Sequence, residues 1–294
     1  MESPRSNFEL LEPYKWLLEK QQQTESSSSD SYAPYYGDVT ELNSERVILN
    51  SVGGETLRKI AEDSIDLLGT SVAVYEKNGD YAFGMFSSGW CQTMDAASRK
   101  LCETDDNREA LDCGRWLCHE NCWNDSAKAA IESGQSTDIQ CIGGINLYGE
   151  PIYANGKVIG VINIGYGTPP TDSNDLKELS EKFNVELSSL EEKARCYNPR
   201  PQFLIDLAKK RLKASARFIG ELVEKSILQT ELKRKSDLLD DTNRMAKIGG
   251  WELDAKSLEV TWTDETYRIH EVPLNYKPPL EKALNFFHPD DRPK

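Results

Sequence analysis

Ser71-Val-Ala-Val-Tyr-Glu-Lys-Asn-Gly-Asp-Tyr-Ala-Phe-Gly-Met-Phe86 is the stretch that decides the fold. Two β-rich runs, 71–76 and 81–86, flank Lys77-Asn78-Gly79-Asp80, and the Asn-Gly pair suits a type I′ turn, whose twist matches that of the strands it joins. This is a β-hairpin. Upstream, Val47, Ile48, Leu57, Ile60, Ala61, Ile65 and Leu68 recur at helical spacing with a break at Gly53-Gly54, so helices lead into the hairpin. Downstream, 125–133 reads as a helix stopped by Gly134. Three strands follow at 137–142, 145–153 and 157–166, the last two joined by Ala154-Asn155-Gly156. Val158-Ile-Gly-Val-Ile-Asn-Ile164 hardly alternates, which suits a central strand covered on both faces.

A hairpin, a helical excursion and a three-strand meander form the element order of small antiparallel sensor sheets of the PAS and GAF kind. The fold class is therefore α+β: a PAS/GAF-like five-stranded antiparallel sheet with flanking helices, the order alone not choosing between the two. Beyond Pro169-Pro170, helical patterns occupy 172–183 and 187–195 before Asn198-Pro199-Arg200-Pro201 breaks the chain. A long helix starts near Gln202, with an apolar stripe of Leu204, Ala208, Leu212, Ile219, Leu222, Val223, Ile227, Leu228, Leu232, Leu238, Leu239 and Met245. The charges between them give it the look of a coiled coil, and hence of a homodimer contact, although a helix packed on its own domain carries a similar stripe. After Gly249-Gly250, Trp251-Glu-Leu-Asp254 and Leu258-Glu-Val-Thr-Trp262 read as a second hairpin, and Asp264 as the cap of a helix through Val272. At the other end, Leu10, Leu11, Tyr14, Trp16, Leu17 and Leu18 form an apolar helical patch, followed by a glutamine and serine run that reads as a flexible linker.

The chain of 294 residues has a formal charge of -14 and a sequence pI near 4.8, so its surface repels nucleic-acid backbones and anionic headgroups. Direct nucleic-acid binding is not expected. No window approaches the ~18 apolar residues of a membrane span, nor is there a basic patch followed by an apolar core at the N-terminus, and the expected location is the cytoplasm. Of the seven cysteines, six fall between Cys91 and Cys141, a clustering that in a reducing compartment points to metal, redox or ligand chemistry rather than to a disulfide scaffold.

Cys118 and Cys122 are four apart, so on a helix both thiols lie on one face, with His119 beside them. Together with Cys113 and a fourth ligand from Cys91, Cys102 or Cys141, they supply a closed zinc site of four thiolates, or of three thiolates and one imidazole. Cys102, Cys113, Cys118 and Cys122 are the expected metal set, with zinc or an iron–sulfur cluster as the metal group. A reversible disulfide is the redox alternative, and free cysteines filling a small-residue core the plain one. Trp90, Trp116, Trp123, Phe86 and Tyr148 are dense enough to wall an apolar pocket. The expected ligand-binding set is Trp90, Cys91, Trp116, His119, Trp123, Cys141, Gly143 and Tyr148. Gly143-Gly144 either lets the backbone approach a ligand or forms a bulge. No phosphate loop is present, carboxylate pairs sit on solvated helices, and His270 and His288 read as structural, so catalysis is not expected.

Ser88-Gly-Trp-Cys91, Cys102, Asp106-Asn-Arg-Glu109, Cys113, Trp116-Leu-Cys-His-Glu-Asn-Cys-Trp123 and Cys141-Ile-Gly-Gly144 resemble the PocR ligand-binding domain in the form found in sensor histidine kinases. The likeness continues through Leu147-Tyr148, Pro151-Ile152, Gly156, Gly160 and Gly165-Tyr-Gly167, and covers about residues 50–195. It implies a PAS-like sensor of small organic molecules such as diols, coupled to an output module. Cys102, Cys113 and Cys118 are extra to the shorter members, so no particular ligand carries over. Residues 245–294 resemble the first part of a PAS domain, through Ala246-Lys-Ile-Gly-Gly-Trp-Glu-Leu253 and Phe287-His-Pro-Asp-Asp-Arg292, with three further strands lacking. The expected organisation is an N-terminal helix and linker (1–40), a PocR-like sensory domain (41–198), a signalling helix (199–247) and a partial PAS domain (248–294). The expected function is a sensory input module of a signal-transduction protein. The alternative is a metal- or redox-structured interaction domain without an exchangeable ligand.

Overall fold

The computed structural model describes residues 34–87, 89–277 and 290; the expected N-terminal helix and serine run, and the motif at 287–292 apart from Asp290, lie outside the described residues. The chain divides into two units, 1–225 and 226–294.

In the first unit a helical turn at Val39–Leu42 precedes α1 (Val47–Val52), α2 (Gly54–Leu68), β1 (Ser71–Glu76) and β2 (Tyr81–Ser87). The excursion follows: α3 (Gly89–Lys100), α4 (Asn107–Asp112), and α5 (Leu117–Glu120), which runs through a π-helical stretch (Asn121–Ala127) into α6 (Lys128–Ser133). Then come β3 (Thr137–Gln140), β4 (Asn146–Ala154), β5 (Lys157–Tyr166), α7 (Ser173–Phe183), α8 (Leu187–Cys196) and the long α9 (Gln202–Ala246), whose residues from 226 on belong to the second unit. The five strands form an antiparallel sheet in the order β2-β1-β5-β4-β3. The hairpin at 71–86 and the strand at 157–166 stand where the sequence places them. Helix begins at Leu117, earlier than expected, because the cysteine-rich run is itself helical.

Strand alternation sends side chains to two cores. Val72, Val74, Ile162 and Ile164 face α1, α2 and α9, packing with Ile48, Leu57, Leu68, Ile205, Leu212 and Ile219. Ala73, Tyr75 and Val161 face the excursion and α7–α8, packing with Trp90, Met94, Trp116, Cys118, Cys122, Phe183 and Leu190. Glu76, at the end of β1, is buried and accepts hydrogen bonds from the amides of Ile48 and Leu49 and from Asn43 Nδ2, closing the N-terminus of α1. Asp106 and Asp172 cap α4 and α7 by accepting from amides two and three residues on.

The stripe on α9 has two characters. Ile205, Ala208, Leu212, Ala216, Ile219 and Val223 are buried in the core shared with the unit's own sheet, and Leu204 and Gly220 are buried as well. Ile227, Leu228, Leu232, Leu238, Leu239 and Met245 are exposed. Gly220 lies so close to β4 that a Cβ built there would stand 1.9 Å from the carbonyl oxygen of Tyr153. Lys209 Nζ meets Asp138 Oδ2 on β3 at 2.6 Å. The second unit contains a hairpin, β6 (Trp251–Leu253) with β7 (Val260–Trp262), followed by α10 (Asp264–Ile269). Thr263, not Asp264, occupies the N-cap position, where its hydroxyl accepts from Gly250 N at 2.9 Å. Among the described residues, no helix is long and apolar enough to cross a membrane.

Gly220→Ala separates contact from helix propensity. Alanine in an exposed helix stabilises by about 1 kcal/mol over glycine; here overpacking against β4 costs about 1–3 kcal/mol. Urea denaturation is expected to show a net loss, and a gain would place α9 farther from the sheet.

Candidate functional site

Four of the cysteines meet on the excursion face of the sheet. Cys91 lies in the first turn of α3, Cys118 in α5, Cys122 in the π-helical stretch and Cys141 in the turn after β3. With Ser71, Trp90, Met94, Ile145 and Leu147 they line one cavity of about 20 Å3. That is a little above the room one ordered water needs. Cys118 and Cys122 are buried, while Cys91 and Cys141 are half-buried.

Two hydrogen bonds hold the Cys141 turn against the helices. Trp90 Nε1 donates to Gly143 O at 2.8 Å, and Asn121 Oδ1 accepts from Ile142 N at 3.0 Å. A third fixes the π-helical stretch to the sheet: Asn163 Nδ2, from the central strand β5, donates to Cys122 O at 2.7 Å. Gly149 on β4 makes this approach possible, since a Cβ there would lie 2.8 Å from Ser126 Oγ and 2.7 Å from Asn163 Oδ1. Gly144, at φ +85°, packs beside Pro170 and has the left-handed turn conformation that favours glycine.

Burial sets the protonation of the four thiols. It pushes Cys91 up to about 12, with Cys141 adding to the effect, and it raises Cys118 and Cys122 as well. Burial also raises Cys141, against which the Gly143 amide, donating to its sulfur at 3.4 Å, works in the opposite direction. Shifted in this direction, the four are neutral thiols at neutral pH and poor nucleophiles.

Beside the cavity, Asp95 on α3 is fully buried, its Oδ1 accepting from Trp116 Nε1 at 2.8 Å and its Oδ2 from the Tyr36 hydroxyl at 2.7 Å. Burial raises its pKa to about 6, although these two bonds and Arg99 pull the other way. Cys102 and Cys113 form a separate pair whose thiols both donate to Ala110 O, at 3.7 and 3.1 Å. Cys113 is exposed; what burial it has raises its pKa, but the Cys102 thiol, the amides of Arg115 and Trp116 and the Arg115 charge bring it below the usual thiol value. Cys102, buried, is pushed up to about 12 by desolvation and by Cys113.

A wider cleft of about 390 Å3 opens on the outer side of α5, lined by His119, Trp123, Asp80 and Arg108 among others. His119 Nδ1 and the Tyr81 hydroxyl share a hydrogen bond of 2.8 Å, Tyr75 donates to Tyr81 in turn, and burial lowers the imidazole pKa to about 4. The Trp123 indole covers the hairpin turn, where a Cβ at Gly79 would lie 2.5 Å from it.

The residues expected to share one ligand pocket are therefore distributed over four places. Trp90, Cys91, Cys141 and Gly143 line the thiol cavity, and His119 and Trp123 line the cleft. Trp116 is taken up by Asp95, and Tyr148 lies in the core on the opposite face of the sheet. The expected metal set is divided as well: Cys118 and Cys122 belong to the cavity, while Cys102 and Cys113 pair with each other. Ser88 and the side chain of Phe86 lie outside the described residues. Met94, Asp95, Asn121 and Asn163 are the site-forming residues that the sequence reading passed over; the lone polar residue in Val158–Ile164 was the available signal for Asn163. Comparison of the chain with protein-family models, curated proteins and solved structures finds no match in any of the three.

Asp95 binds its proton more tightly in the folded chain than in the unfolded one. The folded state therefore loses stability as pH rises from the unfolded carboxyl value of about 4 to about 6, and stays at the lower level above. Asp95→Asn removes this titration. Urea denaturation between about pH 4 and pH 7 is expected to show the variant gaining on the parent by on the order of 2–3 kcal/mol as pH rises; a pH-independent difference would mean that Asp95 titrates normally.

Proposed function

We propose that the 34–225 region is the sensory input module of a cytoplasmic signal-transduction protein, with the thiol cavity as its receptor site and α9 as its output element. One observation carries this reading: four cysteines from separate segments, with Trp90 and Met94, line one cavity on one face of a sheet whose other face holds α9. A side-chain cavity of this kind, assembled on a thin sheet, is where a bound species can move the strands. The strand order, with β1 and β5 adjacent at the centre, supports a PAS-like identity for the sheet, and the residue pattern supports the PocR-type likeness. The hairpin of β6 and β7 followed by α10 supports the beginning of a PAS domain.

In this reading a bound species alters the packing of α3, α5 and the Cys141 turn on β4 and β5, and α9 responds because Gly220 rests on the β4 backbone. Transmission requires the species to bind two arrangements of α9 with different affinity. The exposed Ile227, Leu228, Leu232, Leu238 and Leu239 offer the helix a second copy of itself as partner.

The second reading, a metal- or redox-structured domain, is favoured by the four thiols that converge on the cavity. At about 20 Å3, any occupant larger than a water has to part the walls of the thiol cavity, whereas the cleft beside His119 already has the volume of small-molecule sites. Amide hydrogen exchange and thermal shift on the full chain, with a panel of short diols, alcohols and simple aromatics, test the sensory reading with an organic ligand. A binder is expected to raise the melting temperature and to slow exchange in β4, β5 and α9 between 204 and 223. Protection confined to the binding residues, or no shift across the panel, would remove the organic-ligand form.

A further inference from the structure

Four thiols bound a void whose other walls are mainly Trp90, Met94, Ile145 and Leu147. The four sulfurs are brought to one place from four separate segments: α3, α5, the π-helical stretch and the turn after β3. We propose that Cys91, Cys118, Cys122 and Cys141 hold a four-iron, four-sulfide cluster in this cavity. The inference rests on the reading of the cavity as the receptor site and names its occupant.

The donor geometry selects the cluster over a single ion. Among the described residues, no three histidine, cysteine, aspartate or glutamate side chains stand close enough to close on one metal ion, as a structural zinc site requires of its four ligands. A cubane cluster instead takes one thiolate on each iron, so its sulfurs must surround a volume rather than a point. The surroundings fit such a group. The Gly143 amide donates to Cys141 Sγ at 3.4 Å, the Ser71 hydroxyl lies beside Cys91, and hydrogen bonds to sulfur are among the terms that set a cluster's potential. Insertion has to widen the cavity, and Cys91 and Cys141, only half-buried, have room to give.

Loading changes no oxidation state. Four iron–thiolate bonds to a thiol-bearing cluster carrier break and four bonds to the cysteine sulfurs form; the protons of the four cysteines pass to the carrier's thiolates. Coordination deprotonates the thiols, which burial alone keeps neutral.

The test is iron, zinc and acid-labile sulfide analysis of the full chain, expressed and purified without oxygen, together with its visible absorption and electron paramagnetic resonance before and after dithionite. The expected result is about four irons and four sulfides per chain, with a visible band that dithionite bleaches. Cys118→Ser and Cys122→Ser are expected to lose the cluster; Cys102→Ser and Cys113→Ser keep it. Because serine at a buried position can unfold the chain, Cys91→Ala and Cys141→Ala repeat the assay at the half-buried positions, with circular dichroism to show that the fold persists. Stoichiometric zinc, a two-iron cluster, metal-free folded protein, or loss of iron in Cys102→Ser would each overturn the proposal. A chain that holds the cluster while exchange in α9 ignores its removal keeps the proposal and removes the sensory reading.

Discussion

The clamp on the Cys141 turn is the interaction on which the site depends. Trp90 donates to Gly143 O from α3, and Asn121 accepts from Ile142 N from the π-helical stretch. Each anchor sits next to a cysteine in sequence, Trp90 beside Cys91 and Asn121 beside Cys122. The two bonds that fix the turn therefore also fix the register of three thiols relative to one another. Asn163 completes the arrangement by tying Cys122 O to the central strand. Buried polar groups joined in this way specify one packing, because a slip of any member leaves another unpaired in an apolar surrounding.

The sheet beneath is one layer thick, and both its faces are used. Leu147 faces the thiol cavity while its neighbour Tyr148 lies in the core shared with α9. A displacement of β4 is thus felt on both sides. The close approach of Gly220 to Tyr153 O couples backbone to backbone, a contact with far less give than one between long side chains. Lys209, reaching Asp138 on β3 with its ammonium also 4.0 Å from the centre of the Tyr166 ring, adds a partly screened tie at the sheet edge.

Much of the fold was legible. The Asn-Gly turns, the strand-length apolar runs and the helix stops at Gly134 and Pro199–Pro201 depend on local chemistry, and local chemistry is what a sequence displays. The site was legible in kind but not in membership. Helical spacing identified Cys118 and Cys122 as a pair, yet nothing local says which distant thiols complete it. Cys102 and Cys113 are drawn aside because the turn that follows α3 and the capped helix α4 direct both toward the Ala110 carbonyl. Strand parity could have excluded Tyr148: with Leu147 turned toward the excursion, the next residue must face away. The π-helical stretch, which sets Cys122 relative to Cys118, has no sequence signature comparable to a cap or a turn. On α9 the stripe was real, but only its first part packs on the domain's own sheet, and apolar spacing alone cannot divide one half from the other.

A crystal structure of the full chain grown without oxygen, with anomalous difference maps recorded at a long wavelength for sulfur and at the iron edge, tests the convergence of the four cysteines most directly. The expected maps show sulfur peaks for Cys91, Cys118, Cys122 and Cys141 around one density beside Trp90, with Cys102 and Cys113 together elsewhere. Sulfur peaks placing any of the four on a separate surface, or Cys102 within the cavity, would contradict this arrangement.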